Sequence, residues 1–316
     1  MIKFYQIQNG TVSLSDNPES PIRVFISPTQ EEIESLKAAT NVNEHTLSSA
    51  LDTEEIPRLE IEEDHFAIIW KHPQRAQIGE SIKFEVFSIG LFVFADSLEI
   101  VLPEETQLFD GKGFHRITSI NDALLHVLSR GISHFLGHLR VIDLISNEIK
   151  EKINKSMENK YLLQMLELSE SLVYYLNAIS SNGAVLDKLR LNAARLHFSP
   201  NDFELLDDVQ IDNNQCYKQA DIFSSILTGL MDTRGTIVNN NVNSLLRKLT
   251  MINTIFLPLN LIASIGGMSE FSAATKGIHP FFAYSLLAIS MLGIGFLTLL
   301  IINPSSIKSL QHRIHK

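Results

Sequence analysis

Residues 249–269 read LTMINTIFLPLNLIASIGGMS, and no charged side chain interrupts them between Arg247-Lys248 and Glu270. At about 1.5 Å per helical residue, roughly 20 such residues cross a hydrocarbon core of about 30 Å. The stretch therefore predicts a membrane-spanning helix, though not a uniformly apolar one. Asn253, Leu257, Asn260 and Ser264 follow one another at spacings of four, three and four, which stacks them on one helical face. Carboxamides are costly in lipid, so this face is expected against protein or water. One helix cannot enclose a water-filled passage, but several copies around an axis can, and the stripe reads as its lining. A plain anchor, held to a neighbouring helix by its polar residues, is the competing reading.

Downstream, residues 270–280 predict a short connecting loop, and residues 281–302 form a second uncharged run of about one bilayer. Within that run Gly293 and Gly295 suit close helix packing. The tail, residues 303–316, carries Lys308, His312, Arg313, His315 and Lys316. Basic residues before the first span and after the second place both ends on the cytoplasmic side, with Lys276 opposing Glu270 in an external loop. Upstream, Ser199-Pro200-Asn201-Asp202 is a strong helix start, with a serine cap, proline at the first helical position and an acid three after the cap. No proline follows until Pro258, and only Gly229 and Gly235 interrupt. Residues 199–248 thus predict a stalk continuous with the first span, roughly 100 Å in all at helical rise. Asp207, Asp208, Asp212, Asp221 and Asp232, then Asn239, Asn240, Asn241 and Asn243, suit a helix in contact with water.

Residues 118–198 carry apolar side chains at threes and fours, from Leu124 to Ile145 and again from Leu162 to Leu176, predicting two helices paired antiparallel. Ser181-Asn182-Gly183 reads as a break in the second. His134 and His138 have a zinc-chelating spacing but no evident third ligand. Residues 1–117 predict a mixed α/β domain with strands at 2–7, 22–26, 65–70, 83–89 and 98–102. Thr29 caps a helix that turns Ile33 and Leu36 inward, a second helix covers 43–51, and Pro103, Gly111 and Gly113 close the region. The acids Glu54, Glu55, Glu60, Glu62, Glu63 and Asp64 read as a solvated edge, with attraction of cations as the functional alternative. The fold class is an α+β membrane protein: cytoplasmic α/β domain, helical region, stalk and two C-terminal spans.

The whole chain has 316 residues and a net charge of −10, which argues against a nucleic-acid partner. Its single cysteine, Cys216, excludes an intramolecular disulfide and a thiolate metal cluster within one chain, and reads as a small apolar residue. The first twenty residues contain no signal-peptide core, so the N-terminal domain is expected in the cytoplasm. A Gly-rich phosphate loop, a Ser-His-Asp arrangement and a metalloprotease spacing are all missing from the N-terminal region. No enzyme is expected.

An acidic α/β part, a very long helix, two C-terminal spans and Gly267-Met268-Ser269 at the outer end of the first together resemble the CorA family of divalent-cation channels. Phe256-Leu257-Pro258-Leu259 matches the family's stretch before its Gly-Met-Asn signature, and the likeness extends to Leu51-Asp52, Pro57-Arg58 and residues 68–71. The resemblance implies a homopentamer in the inner membrane, lined by its first spans and gated by intracellular Mg²⁺. Carried over by position, Gly267, Met268 and Ser269 form the entrance ring. Asn260, Asn253 and Asn243 line the conduit, with Leu257, Leu249 and Leu246 as its hydrophobic constriction, a device that closes pores by dewetting. Asp208 and Asp232 fall where the family places carboxylates for regulatory Mg²⁺. One position departs from the signature: the family asparagine is Ser269. By resemblance the transported ion is Mg²⁺, with Co²⁺, while Zn²⁺ or Ni²⁺ transport, with possible proton coupling, is the alternative within the fold. A non-conducting membrane-anchored sensor or scaffold is the alternative of another class.

Overall fold

Period-two alternation in the apolar strands decides the N-terminal architecture. Phe66, Ile68 and Trp70 face one layer of core and Ala67 and Ile69 the other; Val24 and Phe25, and Ile100 and Val101, split in the same way. A sheet that is apolar on both faces needs helices on both. In the computed structural model, residues 1–40, 42–79, 81–109, 116–155 and 159–302 are described, so Gly111, Gly113 and the tail 303–316 lie outside the described residues. The chain divides into two compact units, Met1–Met231 and Asp232–Lys316.

The strands are β1 (Ile2–Gln8), β2 (Thr11–Ser15), β3 (Ile22–Ile26), β4 (Arg58–Ile61), β5 (His65–Pro73), β6 (Gln77–Ile78), β7 (Ile82–Lys83), β8 (Val86–Phe94) and β9 (Leu98–Leu102). Seven form a sheet in the order β2-β1-β3-β9-β8-β5-β4, with only β3 and β9 parallel, and β6 pairs with β7. On one face lie α1 (Gln30–Thr40) and α2 (Glu44–Ser49), where Leu36, Leu47 and Ala50 meet Phe25, Ile69 and Phe92. Thr29 and Glu32 cap α1 reciprocally, backbone nitrogen to side-chain oxygen at 2.9 and 3.3 Å. Gly90 permits the close approach of α2: a Cβ there would stand 2.5 Å from that of Ala50. On the opposite face lie α3 (Ile120–Lys155), α4 (Asn159–Asn192) and the first part of α5 (Pro200–Gly266). Helices α3 and α4 run antiparallel as expected: Asn121 reaches the Leu196 carbonyl, His138 meets the Tyr175 hydroxyl, and Lys152 lies over the Tyr161 ring. Cys216 is buried between α5 and this core.

The structure corrects several local readings. Ser181-Asn182-Gly183 does not break α4. Asn182 is fully buried, and its carboxamide accepts from the Lys71 backbone N–H at 2.9 Å and donates to the Lys71 carbonyl at 2.8 Å. Strand β4 ends its pairing at Arg58 opposite Ile69, so Asn182 takes over the exposed edge of β5 where the sheet stops. Gly183 lets α5 approach, with a hypothetical Cβ at 3.0 Å from Asn213 Nδ2. The strand expected at 83–89 is interrupted because Phe84 turns into the core and its N–H goes to Ser171 Oγ at 3.2 Å. Part of the acidic cluster is the edge strand β4.

In the second unit α5 continues through the first apolar span without interruption, beginning from the Ser199–Asp202 cap. Pro258 removes one backbone donor, which a span can absorb where neighbouring groups re-satisfy the freed carbonyl. The connecting segment is not all loop: it contains α6 (Ser269–Ala274), followed by α7 (Pro280–Ile302). Among the described residues two helices, α5 and α7, are long and apolar enough to cross a membrane. Phe281, Leu286 and Leu292 on α7 are 70%, 71% and 75% exposed, a surface that suits lipid rather than water.

Candidate functional site

The site is built on the two spans. Gly266 of α5 sits on Leu287 of α7, where an added Cβ would lie 2.5 Å from Leu287 Cδ2; further along, Gly295 faces Leu259, with a hypothetical Cβ at 3.7 Å. The antiparallel pair therefore buries the face of α5 carrying Met251, Ile255, Leu259, Ile262 and Gly266, all more covered than the rest of the span apart from Pro258. Gly293, expected at this seam, has nothing within 4 Å of its hypothetical Cβ; only Gly295 serves close packing there.

At roughly 100° per residue, the expected polar line lies on the opposite side of α5. Leu246, Leu249, Asn253, Leu257, Asn260 and Ser264 fall within an arc of roughly 80°, centred about 160° from the α7-facing side, and Asn243 lies about 40° beyond its edge. All seven are exposed in the single chain. The two spans thus pack through their apolar faces and leave the carboxamides outward. In a bilayer that face needs other protein or water. Thr250 joins the same surface. Its hydroxyl donates back to the Leu246 carbonyl at 2.8 Å, leaving the oxygen lone pairs available. The spacing, three before Asn253 and seven before Leu257, was the signal that could have found it.

At the far end of α5, the Gly267 N–H bonds the carbonyls of Ala263 and Ser264, both at 3.1 Å, and that of Met268 bonds Ile265 at 3.1 Å. The helix closes there and the chain turns. Met268 is extended (φ −79°, ψ 150°) and Ser269 begins α6, so Gly267, Met268 and Ser269 form a sharp turn rather than the last turn of the span. Met268 and Ser269 are exposed.

The two carboxylates expected to regulate lie in different units. Asp208 belongs to the first unit and Asp232 to the second. Both are exposed, and among the described residues no group of three or more His, Cys, Asp or Glu is placed to hold a metal ion. Mg²⁺ keeps several waters and usually takes only one or two carboxylates, so a lone exposed aspartate offers at most one protein ligand.

Elsewhere the first unit pairs part of its acidic cluster internally. A cavity of about 700 Å³ is lined by Glu44, Glu60, Glu62, Glu63 and Asp64, together with Lys37 and His65. Lys37 pairs with Glu44, His65 with Asp64, and Arg58 with both Glu55 and Glu60. Burial alone would raise the Glu60 carboxyl, but Arg58 and Thr46 hold it below the ordinary range. These pairs support the solvated-edge reading of the acidic cluster. Among the described residues His134 and His138 gain no third metal-ligating side chain. His138 is committed to Tyr175 at 2.6 Å, while His134 packs edge-on against buried His72 at 5.2 Å between ring centres. Burial pushes His72 down to about 3 and His134 to about 4, with His138 and Arg130 adding to the effect on both.

Comparison with known proteins agrees with this geometry. The chain is 26% identical over 254 residues to the cobalt/magnesium transport protein CorA of Methanocaldococcus jannaschii, covering 77% of each chain. It is 23% identical over 229 residues to the protein of the same description from Thermotoga maritima, covering 71% of this chain and 65% of that one. The complete structure of the M. jannaschii CorA magnesium transporter superposes with a TM-score of 0.74 at 20% identity, covering 95% of this chain and 96% of that one, which establishes the shared fold. A family profile described as CorA-like Mg²⁺ transporter protein matches residues 24–303, most of the soluble unit and both spans, and the chain belongs to that family.

Proposed function

We propose that several copies of this chain, five by family resemblance, surround an axis and conduct Mg²⁺ and Co²⁺ across the inner membrane. The observation that carries the reading is the outward polar face of α5, opposite the face that α7 covers. A simple anchor has no use for exposed Asn253, Asn260 and Ser264, whereas a hydrated cation needs neutral oxygens along its path. Gly267, Met268 and Ser269 form the outer entrance, Asn260, Asn253 and Asn243 contact the hydrated ion, and Leu257, Leu249 and Leu246 close the path by dewetting. Both termini face the cytoplasm. Regulatory Mg²⁺ at Asp208 and Asp232 screens repulsion between copies and favours the closed state; its loss loosens the bundle.

Flux into proteoliposomes tests this reading, with a Mg²⁺-sensitive dye inside, Co²⁺, Zn²⁺ and Ni²⁺ in parallel, and a pH gradient imposed or absent. The expected result is Mg²⁺ and Co²⁺ entry independent of the gradient and suppressed by Mg²⁺ on the cytoplasmic face. Zn²⁺ or Ni²⁺ flux that grows with the gradient would replace the ion assignment. No flux of any ion from folded oligomers would leave a membrane-anchored sensor.

A further inference from the structure

Where α5 gives way to α6, the Ser269 hydroxyl donates a hydrogen bond to Glu270 Oε2 at 3.2 Å. A serine hydroxyl is ambivalent, with one O–H donor and two acceptor lone pairs on a free rotor. Toward a hydrated cation only the lone pairs are useful, because water bound to a cation points its hydrogens outward. A hydroxyl that turns its own hydrogen toward the ion repels it. The carboxylate of Glu270 removes that ambiguity: by accepting the hydrogen it stops the rotor and leaves the Oγ lone pairs facing away from Glu270. An ionised acceptor also makes the bond stronger than a neutral one and enriches the electron density on Oγ. Both side chains are exposed, and among the described residues Glu270 makes no ion pair that would divert it.

We propose that Glu270 is a positioning residue at the entrance: it holds the Ser269 hydroxyl as an acceptor for the water shell of a divalent cation. The Ser269–Glu270 pair then does jointly what a carboxamide oxygen does alone, and Glu270 also brings negative charge to the mouth. The inference rests on the conduction reading above. It extends that reading by making the entrance of this chain a two-residue device whose second member is specific to serine at the first.

The distinguishing property is dependence on the neighbour. If Glu270 acts through Ser269, its removal matters with serine at 269 and much less with asparagine, whose carboxamide carries its own acceptor. If Glu270 acts only as a diffuse surface charge, its removal matters equally in both settings and is erased by salt. The experiment is Mg²⁺ flux into proteoliposomes from the full chain, comparing the parent, E270A, S269A, S269N and the S269N/E270A double variant at low and high ionic strength. E270A and S269A are expected to raise the half-saturating Mg²⁺ concentration by similar factors, about tenfold each, the scale of one charge-assisted hydrogen bond. In the S269N background E270A is expected to shift it by about twofold or less, and the difference between backgrounds is expected to persist at high salt. Equal losses in both backgrounds, or a parent-like E270A, would overturn the positioning role while leaving conduction intact. A parent that conducts no ion would instead fell the conduction reading, and this inference with it. Oligomer size in detergent checks that the exposed substitutions leave assembly unchanged.

Discussion

Replacing Asn182 with leucine tests how α4 is held to the sheet. The carboxamide is fully buried and satisfies both the N–H and the carbonyl of Lys71, at 2.9 and 2.8 Å, on the edge of β5 that β4 no longer covers. Leucine keeps the branched side-chain skeleton, but its methyls are bulkier than the amide groups, so the change removes both hydrogen bonds and adds some overpacking. Each buried backbone group left without a partner costs about 1–3 kcal/mol, and the greater hydrophobicity of leucine offsets about 1 kcal/mol. The expected net loss is about 1–5 kcal/mol. Trp70, the chain's single tryptophan, is fully buried one residue before Lys71, so its fluorescence reports the site locally. The assay is denaturant unfolding of the full chain in detergent, followed at the tryptophan. An unfolding free energy within about 0.5 kcal/mol of the parent, well below the cost of one unsatisfied group, would refute the reasoning. It would mean that the β5 edge finds other partners and that the asparagine is incidental to the straightness of α4.

Three further outcomes follow from named contacts. Buried His72 is held neutral, its folded value near 3 against 6.5 in the unfolded chain. Between those values the unfolded state takes up a proton that the native state refuses, so stability should fall as pH falls from about 6.5, by about 2 kcal/mol at pH 5 from this group; H72Q should reduce the slope in unfolding measured from pH 7 to 5, while His134, held near 4, keeps its own share. G266A should destabilise the α5–α7 pair by about 1 kcal/mol, because its Cβ meets Leu287 Cδ2 at 2.5 Å and that side-chain end must shift. L287A added to it should restore part of the loss in thermal unfolding, and no recovery would place the strain elsewhere. Finally, D208N and D232N should weaken the suppression of flux by cytoplasmic Mg²⁺, by about tenfold in the inhibiting concentration if each supplies a carboxylate ligand; unchanged suppression would remove them from the gate.

The elements with strong local signals were legible. The β3 and β9 runs matched residue for residue, and the Ser199–Asp202 cap located the start of a 67-residue helix. The stripe on α5 could be read because helical periodicity alone puts Asn253, Leu257 and Asn260 together. The partner face could not, since it depends on where α7 lands. Strand β2 was missed although Asn9-Gly10 marks it; both residues take positive φ, 51° and 74°, the pattern of a tight hairpin turn. Strand β4 was hidden by its charges, which an edge strand can keep in solvent. Asn182 misled for a different reason. A Ser-Asn-Gly sequence resembles a turn locally, but the backbone of a strand 111 positions away settled its role. Tertiary hydrogen bonds of that kind leave no periodic trace.

The burial of Cys216 makes this chain convenient to label chemically. Its thiol is inside the core beneath α5, and burial, reinforced by Asp212, pushes it up to about 12. At neutral pH the reactive thiolate is then scarce and shielded, so maleimides and methanethiosulfonates should pass the native sulfur by. Cysteines introduced one at a time at 249, 253, 257, 260 and 264 can then be scanned for modification without first deleting the natural one. A water-filled path would make those positions reactive from the aqueous phase, and positions 251, 255, 259 and 262, a half-turn away, would stay silent.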